Sequence, residues 1–330
     1  MKRKQSGLRI MSRLIVLVKP LSGFMCLAVL LGVLGFLCAI QITVAGSLTL
    51  LTAAKISGGT AIKTGCVCII IFAVLRGFLH YGEQACNHYI AFKLLALIRD
   101  KVFKAMRRLS PAKLEGKDKG NLVSVITSDI ELLEVFYAHT ISPTCIAILT
   151  CLIMLIFIGR YSIWLSLVAL AAYITVGAVI PLVSSRLNKN AGMTYRDGSG
   201  ALSGFVLDSM RGLLESIRYN STDKRLEEMD KKTDELNSLQ DRLKKIEGHT
   251  GAVTDIAIIF FSVAMLLTGI ALYQKGVIGF DGMIVSTVSM MSSFGPVAAL
   301  SGLAGNLTHT LAAGGDVSAY SMRTRWLKKT

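Results

Sequence analysis

The sequence predicts an all-α integral membrane protein: six transmembrane helices, with long helical extensions on the cytoplasmic side, each turned by a short transverse helix. Three observations carry that expectation. Hydrophobic residues make up 52% of the 330, and mean hydropathy is +0.57, so lipid is the main solvent. Six apolar stretches are each long enough for a bilayer core of about 30 Å, which takes about 20 helical residues. Two further stretches, 92–136 and 185–248, are too polar for the membrane yet keep helical periodicity.

Residues 1–20 come first. Leu8, Met11, Ile15 and Val18 share one face, with Arg9 and Arg13 opposite and Pro20 closing the segment, which fits a helix lying along the inner membrane surface. The apolar run that follows extends from Leu21 to about Leu51, too long for a cleavable signal core. The spans are placed near 21–45, 62–83, 139–158, 162–184, 251–273 and 283–306, inside a single membrane domain of 21–315. Their outer connections are short: Thr52–Ala61, Gly159–Tyr161 and Gln274–Gly282.

The inner connections are long. In the first, Leu95, Ile98, Val102, Ala105 and Leu109 line one face of an amphipathic helix. Ser110 then offers an N-cap, Pro111 suits the first helical position, and Gly116 can end the turn in the left-handed conformation. After Lys117-Asp118-Lys119-Gly120, the residues Leu122, Ile126, Ile130, Leu133 and Phe136 align on a returning helix. The second inner connection repeats this plan. Leu202, Phe205, Ser209, Leu213 and Ile217 lie in register, Tyr219-Asn220-Ser221-Thr222-Asp223 turns the corner, and a charged helix runs to Lys245.

Charge fixes the orientation. The net charge is +15, and every Lys and Arg except Lys55, Lys63, Arg76, Arg160 and Lys275 falls before the first span, in the two inner connections or in the tail after Met322. This positive-inside pattern puts both termini in the cytoplasm of a cell-membrane protein. It also accounts for the basic balance without nucleic acid, since acidic residues are interspersed and no aromatic interleaving accompanies the basic ones.

The seven cysteines lie almost entirely in apolar runs, and Cys66 and Cys68 are two apart, on different helix faces; neither a disulfide framework nor a metal site is indicated. Asn220-Ser221-Thr222 and Asn306-Leu307-Thr308 are sequons on or near the inner side, where glycosylation is not expected.

Polar residues within spans are costly and point to function. Arg76, His80, Glu83, Gln84, Asn87 and His88 form a stripe at steps of three or four along the second span. They read as a polar wall on a substrate path, or, from His80 inward, as a helix leaving the membrane; Arg76 lies deeper and favours the cavity. The stripe points to a small zwitterion or anion as solute. In the sixth span Ser289, Ser292 and Ser293 precede Phe294-Gly295-Pro296, where proline allows a kink, and Met283, Met290 and Met291 read as adaptable lining or as core packing. No G-x-x-x-x-G-K-[ST], no H-E-x-x-H and no paired nucleophile and base occur, so the chain by itself is not expected to be an enzyme.

With these residues in view the chain resembles the transmembrane domain of type I ABC exporters over about 13–320. Gly120-Asn121-Leu122, Thr127-Ser128-Asp129-Ile130-Glu131 and Phe294-Gly295-Pro296 with Leu300-Ser301 carry the resemblance. Within that family it most resembles the bacterial cysteine and glutathione exporters associated with cytochrome bd assembly. That closer match runs through Arg76, Tyr81, Glu83, His88, Phe92, Leu95, Arg99, Phe103, Leu109-Ser110-Pro111-Ala112, Leu122, Asp129, Leu133, Tyr137 and Ile141-Ser142-Pro143. Gln84 departs from it, standing where an arginine is expected.

The resemblance implies a permease half that pairs with a second half, homo- or heterodimeric, with the fourth and fifth spans crossing to the partner. It implies a small-molecule substrate such as a thiol compound, moved across the membrane by ATP-binding cassette domains that carry ATP and Mg. It implies coupling helices at Ser110, Pro111, Lys113, Leu114 and Glu115, and at about Ser221–Leu226, with Ser221, Thr222 and Asp223 in contact with the ATPase. The polar pattern itself places the substrate path at Arg76, His80, Glu83, Ser292 and Ser293, and the resemblance implies haem at His88, against the plainer reading of a histidine at the inner interface. The ATPase domain would begin in the tail 316–330, and the sequence ends at Thr330, so a separate or missing motor is expected. The alternative is a non-transporting membrane fragment or a haem- or redox-responsive sensor without a motor.

Overall fold

The computed structural model describes residues 21–55, 62–109, 140–187 and 189–300. The N-terminal segment, the first transverse helix with Ser110, Pro111, Lys113, Leu114 and Glu115, its returning stalk and the C-terminal tail lie outside the described residues. Among the described residues there is no strand. The helices are α1 (Ser22–Ala53), α2 (Ile62–Leu109), α3 (Ser142–Gly159), α4 (Ile163–Ile174), a π-helical turn (Thr175–Val179), α5 (Ile180–Leu187), α6 (Lys189–Arg211), α7 (Leu213–Arg218), α8 (Thr222–Gln274) and α9 (Phe280–Leu300). Six helical runs are long and apolar enough to cross a membrane.

α1 is apolar on every side, as a helix between protein and lipid should be. Its 32 residues outrun the predicted span. It stops where Lys55 takes a left-handed φ of 59° and the Ala54 and Lys55 amides donate back to Leu50 and Thr52 carbonyls. α2 returns alongside it, and small residues let the two backbones approach. A Cβ at Gly65 would collide with Thr49, and one at Gly35 would already touch Leu79.

α2, 48 residues in all, joins the second span to the expected amphipathic stalk in one helix that runs to Leu109, because the stretch beyond Phe92 keeps the helical period once apolar composition stops. That length of about 72 Å is more than twice the bilayer core, so the inner half is stalk.

α3 and α4 meet in a tight turn, with the Ser162 hydroxyl capping α4 by accepting from the Trp164 amide at 3.3 Å. The Ser166 hydroxyl ties the pair together by donating to the Leu155 carbonyl at 3.0 Å. One span is therefore continuous in α4, the π turn and α5. Pro181 cannot donate to the Gly177 carbonyl, and the wider turn sits directly before it. Gly177 is needed there: a Cβ would stand 3.0 Å from Val297 of α9.

α6 and α8 pair as the second stalk, joined through α7. The polar part of α8, 222–248, projects about 40 Å before the helix becomes apolar and enters the membrane. The cross-stalk contacts include Arg225 Nη1 donating to Ser209 Oγ at 3.0 Å, and Arg225 and Lys232 over the Phe205 ring at 6.0 and 5.4 Å.

The core lies where α1, α3, α4, α8 and α9 converge, around Ile40, Val44, Met154, Leu165, Tyr173, Met265, Met290 and Phe294. Met283 and Met290 are buried in it, so core packing is their role, whereas Met291 is exposed. α9 runs through Pro296 without interruption.

Candidate functional site

Two places gather the polar residues singled out in the spans. The first is a half-open cleft of about 80 Å³ between α1 and α2, lined by Gly32, Gly35, Phe36, Arg76, His80 and Glu83. Steps of four and three residues stack Arg76, His80 and Glu83 on successive turns of α2, and the two glycines of α1 leave room opposite them. His80 Nδ1 and Glu83 Oε2 are 3.3 Å apart, and Asn87 Nδ2 donates to Glu83 Oε1 at 3.5 Å. The His80 side chain is 65% exposed while that of Glu83 is only 9% exposed, so the carboxylate is the inner end of the cleft. Arg76 is exposed and, among the described residues, has no hydrogen-bond or ion-pair partner. The arrangement offers one free cation, one buried carboxylate with two long contacts, and an aromatic wall.

Gly32 is the keystone of this wall. A Cβ there would run into Ile146 of α3 and approach Glu83 Cδ to 3.2 Å, so three helices meet on its bare backbone. Nothing in the polar pattern of α2 discloses Gly32, Gly35 or Phe36. The signal available was the small-residue pair three apart within an apolar run.

The second place is on α9, where half-exposed Ser292 and buried Ser293 lie outside the cleft lining. Ser292 Oγ shares a 2.6 Å hydrogen bond with Thr43 Oγ1 of α1. Ser293, almost fully buried, bonds the Tyr173 hydroxyl of α4. Ser286 and Ser289 on the same helix are fully buried, and among the described residues their hydroxyls have no partner. Phe36 links the two places, since a Cβ on Gly295 of α9 would meet its ring at 3.4 Å.

The lower stripe divides further. Asn87 is buried and serves Glu83, Gln84 is half-buried, and His88 is exposed with its ring stacked on Phe92 at 6.2 Å. His88 thus leaves the cleft and presents one accessible imidazole on the stalk side of α2.

At the far end of the second stalk, the expected transverse helix is displaced. Thr222 and Asp223 belong to the first turn of α8, which runs unbroken to Gln274, and Ser221 precedes that turn. The separate short helix is α7 (Leu213–Arg218), upstream of the segment expected at about Ser221–Leu226. Gly212 breaks α6, and α7 closes with Asn220 in the left-handed conformation at φ 50°. There the Ser221 amide donates to the Ser216 carbonyl at 2.8 Å and the Asn220 amide to Ile217 at 3.1 Å, the paired bonds of a Schellman ending. This corner exposes a cluster of apolar side chains, Met210, Leu213, Leu214, Ile217 and Tyr219, which water alone does not favour.

Residues 21–297 match the family described as ABC transporter transmembrane region. A probable ABC transporter ATP-binding/permease protein of Haemophilus influenzae is 42% identical over 311 residues, 94% of this chain and 56% of that protein. The glutathione/L-cysteine transport system ATP-binding/permease protein CydC of the same organism is 25% identical over 155 residues, 47% of this chain and 27% of its own length. An ATP-dependent lipid A-core flippase of Shewanella frigidimarina is 28% identical over 123 residues, 37% of this chain and 20% of the flippase. The chain therefore spans about half, or less, of the length of these relatives. With six spans, a long polar stalk pair and a family match over most of its length, this multi-pass membrane protein belongs to the ABC transporter transmembrane region family.

Proposed function

We propose that the chain is the permease half of an ATP-driven exporter of a small solute, and that the solute is a thiol compound such as cysteine or glutathione. The observation that carries the exporter reading is the stalk pair α6 and α8, ending in an apolar corner far from the membrane, in a chain of this family. The corner docks onto an ATP-binding cassette domain, and so does the segment Ser110–Glu115. Closure of two such domains on ATP pushes the stalks together, and their separation after hydrolysis lets the bundle reopen inward. A second transmembrane half covers the exposed apolar faces of α2 and α8. Both termini lie in the cytoplasm of a bacterial cell, as the positive-inside pattern requires. The thiol assignment is supported by the name of the CydC relative, matched over less than half of this chain.

ATP-dependent uptake into inverted membrane vesicles tests the reading. Vesicles holding the chain with its ATP-binding domain are expected to accumulate labelled cysteine or glutathione at least 10-fold above vesicles without ATP. Accumulation of neither solute removes the thiol assignment.

A second reading concerns haem, which the exposed His88 ring beside Phe92 favours. A single imidazole with a neighbouring aromatic edge supplies one axial nitrogen and a stacking surface for the macrocycle. Haemin titrated into the purified protein should give a shifted Soret band that His88→Ala abolishes; an identical band in the variant excludes this residue as the ligand.

A further inference from the structure

We propose that the α1–α2 cleft recognises a small amphoteric solute by its two opposite ends, a carboxylate at Arg76 and an ammonium at Glu83; this rests on the exporter reading above. Arg76 lines the cleft without a partner among the described residues. A guanidinium within a membrane span is stable only against water, a headgroup or an anionic ligand, and its planar fork matches a carboxylate in two parallel bonds.

Glu83 differs from it in every respect. Its carboxylate is enclosed, and its contacts to His80 and Asn87 are long, 3.3 and 3.5 Å. Charge-assisted bonds run about 2.7–2.9 Å, so a ligand ammonium makes a shorter and stronger bond than either resident donor. His80 is placed to turn outward when that happens, being largely exposed.

The two charged residues are seven apart, about 10 Å along the helix axis. Both nevertheless line one cleft of about 80 Å³, Arg76 on its exposed side and Glu83 enclosed. Phe36 supplies the apolar wall between them, and the bare backbones of Gly32 and Gly35 keep the facing side low. A purely anionic solute that satisfies Arg76 brings negative charge toward Glu83, and a purely cationic one meets Arg76 on entry. Only a solute carrying both signs satisfies both ends. Among the described residues, the elements packed here add no other charge to the lining: α1 contributes Gly32, Gly35 and Phe36, and α3 approaches with Ile146.

The test uses the intact transporter with its ATP-binding domain in lipid nanodiscs, titrated calorimetrically with cysteine, N-acetylcysteine and cysteine methyl ester. Cysteine is expected to bind at least 10-fold more tightly than either blocked form. In Arg76→Gln the methyl ester should equal cysteine while the acetylated form stays weak, and in Glu83→Gln the order should reverse. Equal binding of all three probes by the unmodified protein, or an equal loss of all three in both variants, overturns the proposal. Trypsin cutting within stalk residues 222–248 is followed with and without ATP in the same samples. A nucleotide-dependent pattern beside failed discrimination overturns the amphoteric class alone, whereas an unchanged pattern overturns the exporter reading.

Discussion

Gly32→Val should leave little folded protein in the membrane, whereas Gly46→Val should leave nearly normal amounts. Both glycines lie in α1, so helix propensity is matched between them. The difference is space. At Gly32 an added Cβ would overlap Ile146 and press on Glu83, while at Gly46 nothing stands within 4 Å. Overpacking of a tight contact costs about 1–3 kcal/mol, and here relief would require moving the backbones of α1 and α3 apart. Separating them also opens the floor of the cleft, where Glu83 is held at 9% side-chain exposure. Thermal unfolding in detergent, read by size-exclusion of the heated samples, should place Gly32→Val several degrees below both the parent and Gly46→Val. Equal midpoints for the two variants would mean that the three-helix junction is looser than this packing implies.

A doubly substituted corner, Leu214→Asp with Tyr219→Asp, should abolish solute-stimulated ATP hydrolysis in the complex while the protein still inserts and folds. These side chains are 72% and 80% exposed, so polar replacements cost the isolated chain almost nothing. Their worth arises only when a partner covers them, and large aromatic or aliphatic residues at the centre of an interface carry about 2 kcal/mol or more each. Loss of both anchors should therefore reduce stimulation by at least 10-fold and release the ATP-binding domain during purification. Asn220→Gly serves as the control. It keeps the left-handed turn that joins α7 to α8, and activity should be retained. Full stimulation in the double variant would show that force enters the bundle elsewhere.

How much of this was legible in the residues follows from what each signal measures. Hydropathy found all six spans, because the cost of lipid exposure acts on composition alone. Where a helix leaves the lipid is marked less sharply, since one such as α2 changes solvent at the headgroups without changing its hydrogen bonding. The stripe of Arg76, His80 and Glu83 was readable from helical spacing and stands together in the structure. Its opposite wall was not, because Gly32 and Gly35 act through the absence of a side chain. Ser292 and Ser293 carried a polar label but belong to interhelical bonding with Thr43 and Tyr173, a distinction that needs the third dimension. The short helix of the second corner lies upstream of the residues expected, because composition does not mark its ends. The break itself is set by Gly212 and by the backbone of Asn220.

The widened turn at Thr175–Val179 lets the fourth span absorb a change in length. Such a turn accommodates about one residue more than an α turn, and one residue is about 100° of rotation. Removing a single amino acid there would leave the chain long enough to traverse the lipid, yet swing everything from Ile180 to Leu187 around its own axis. The segment works as a phase adjuster, setting which side of the inward half meets its neighbours independently of the outward half.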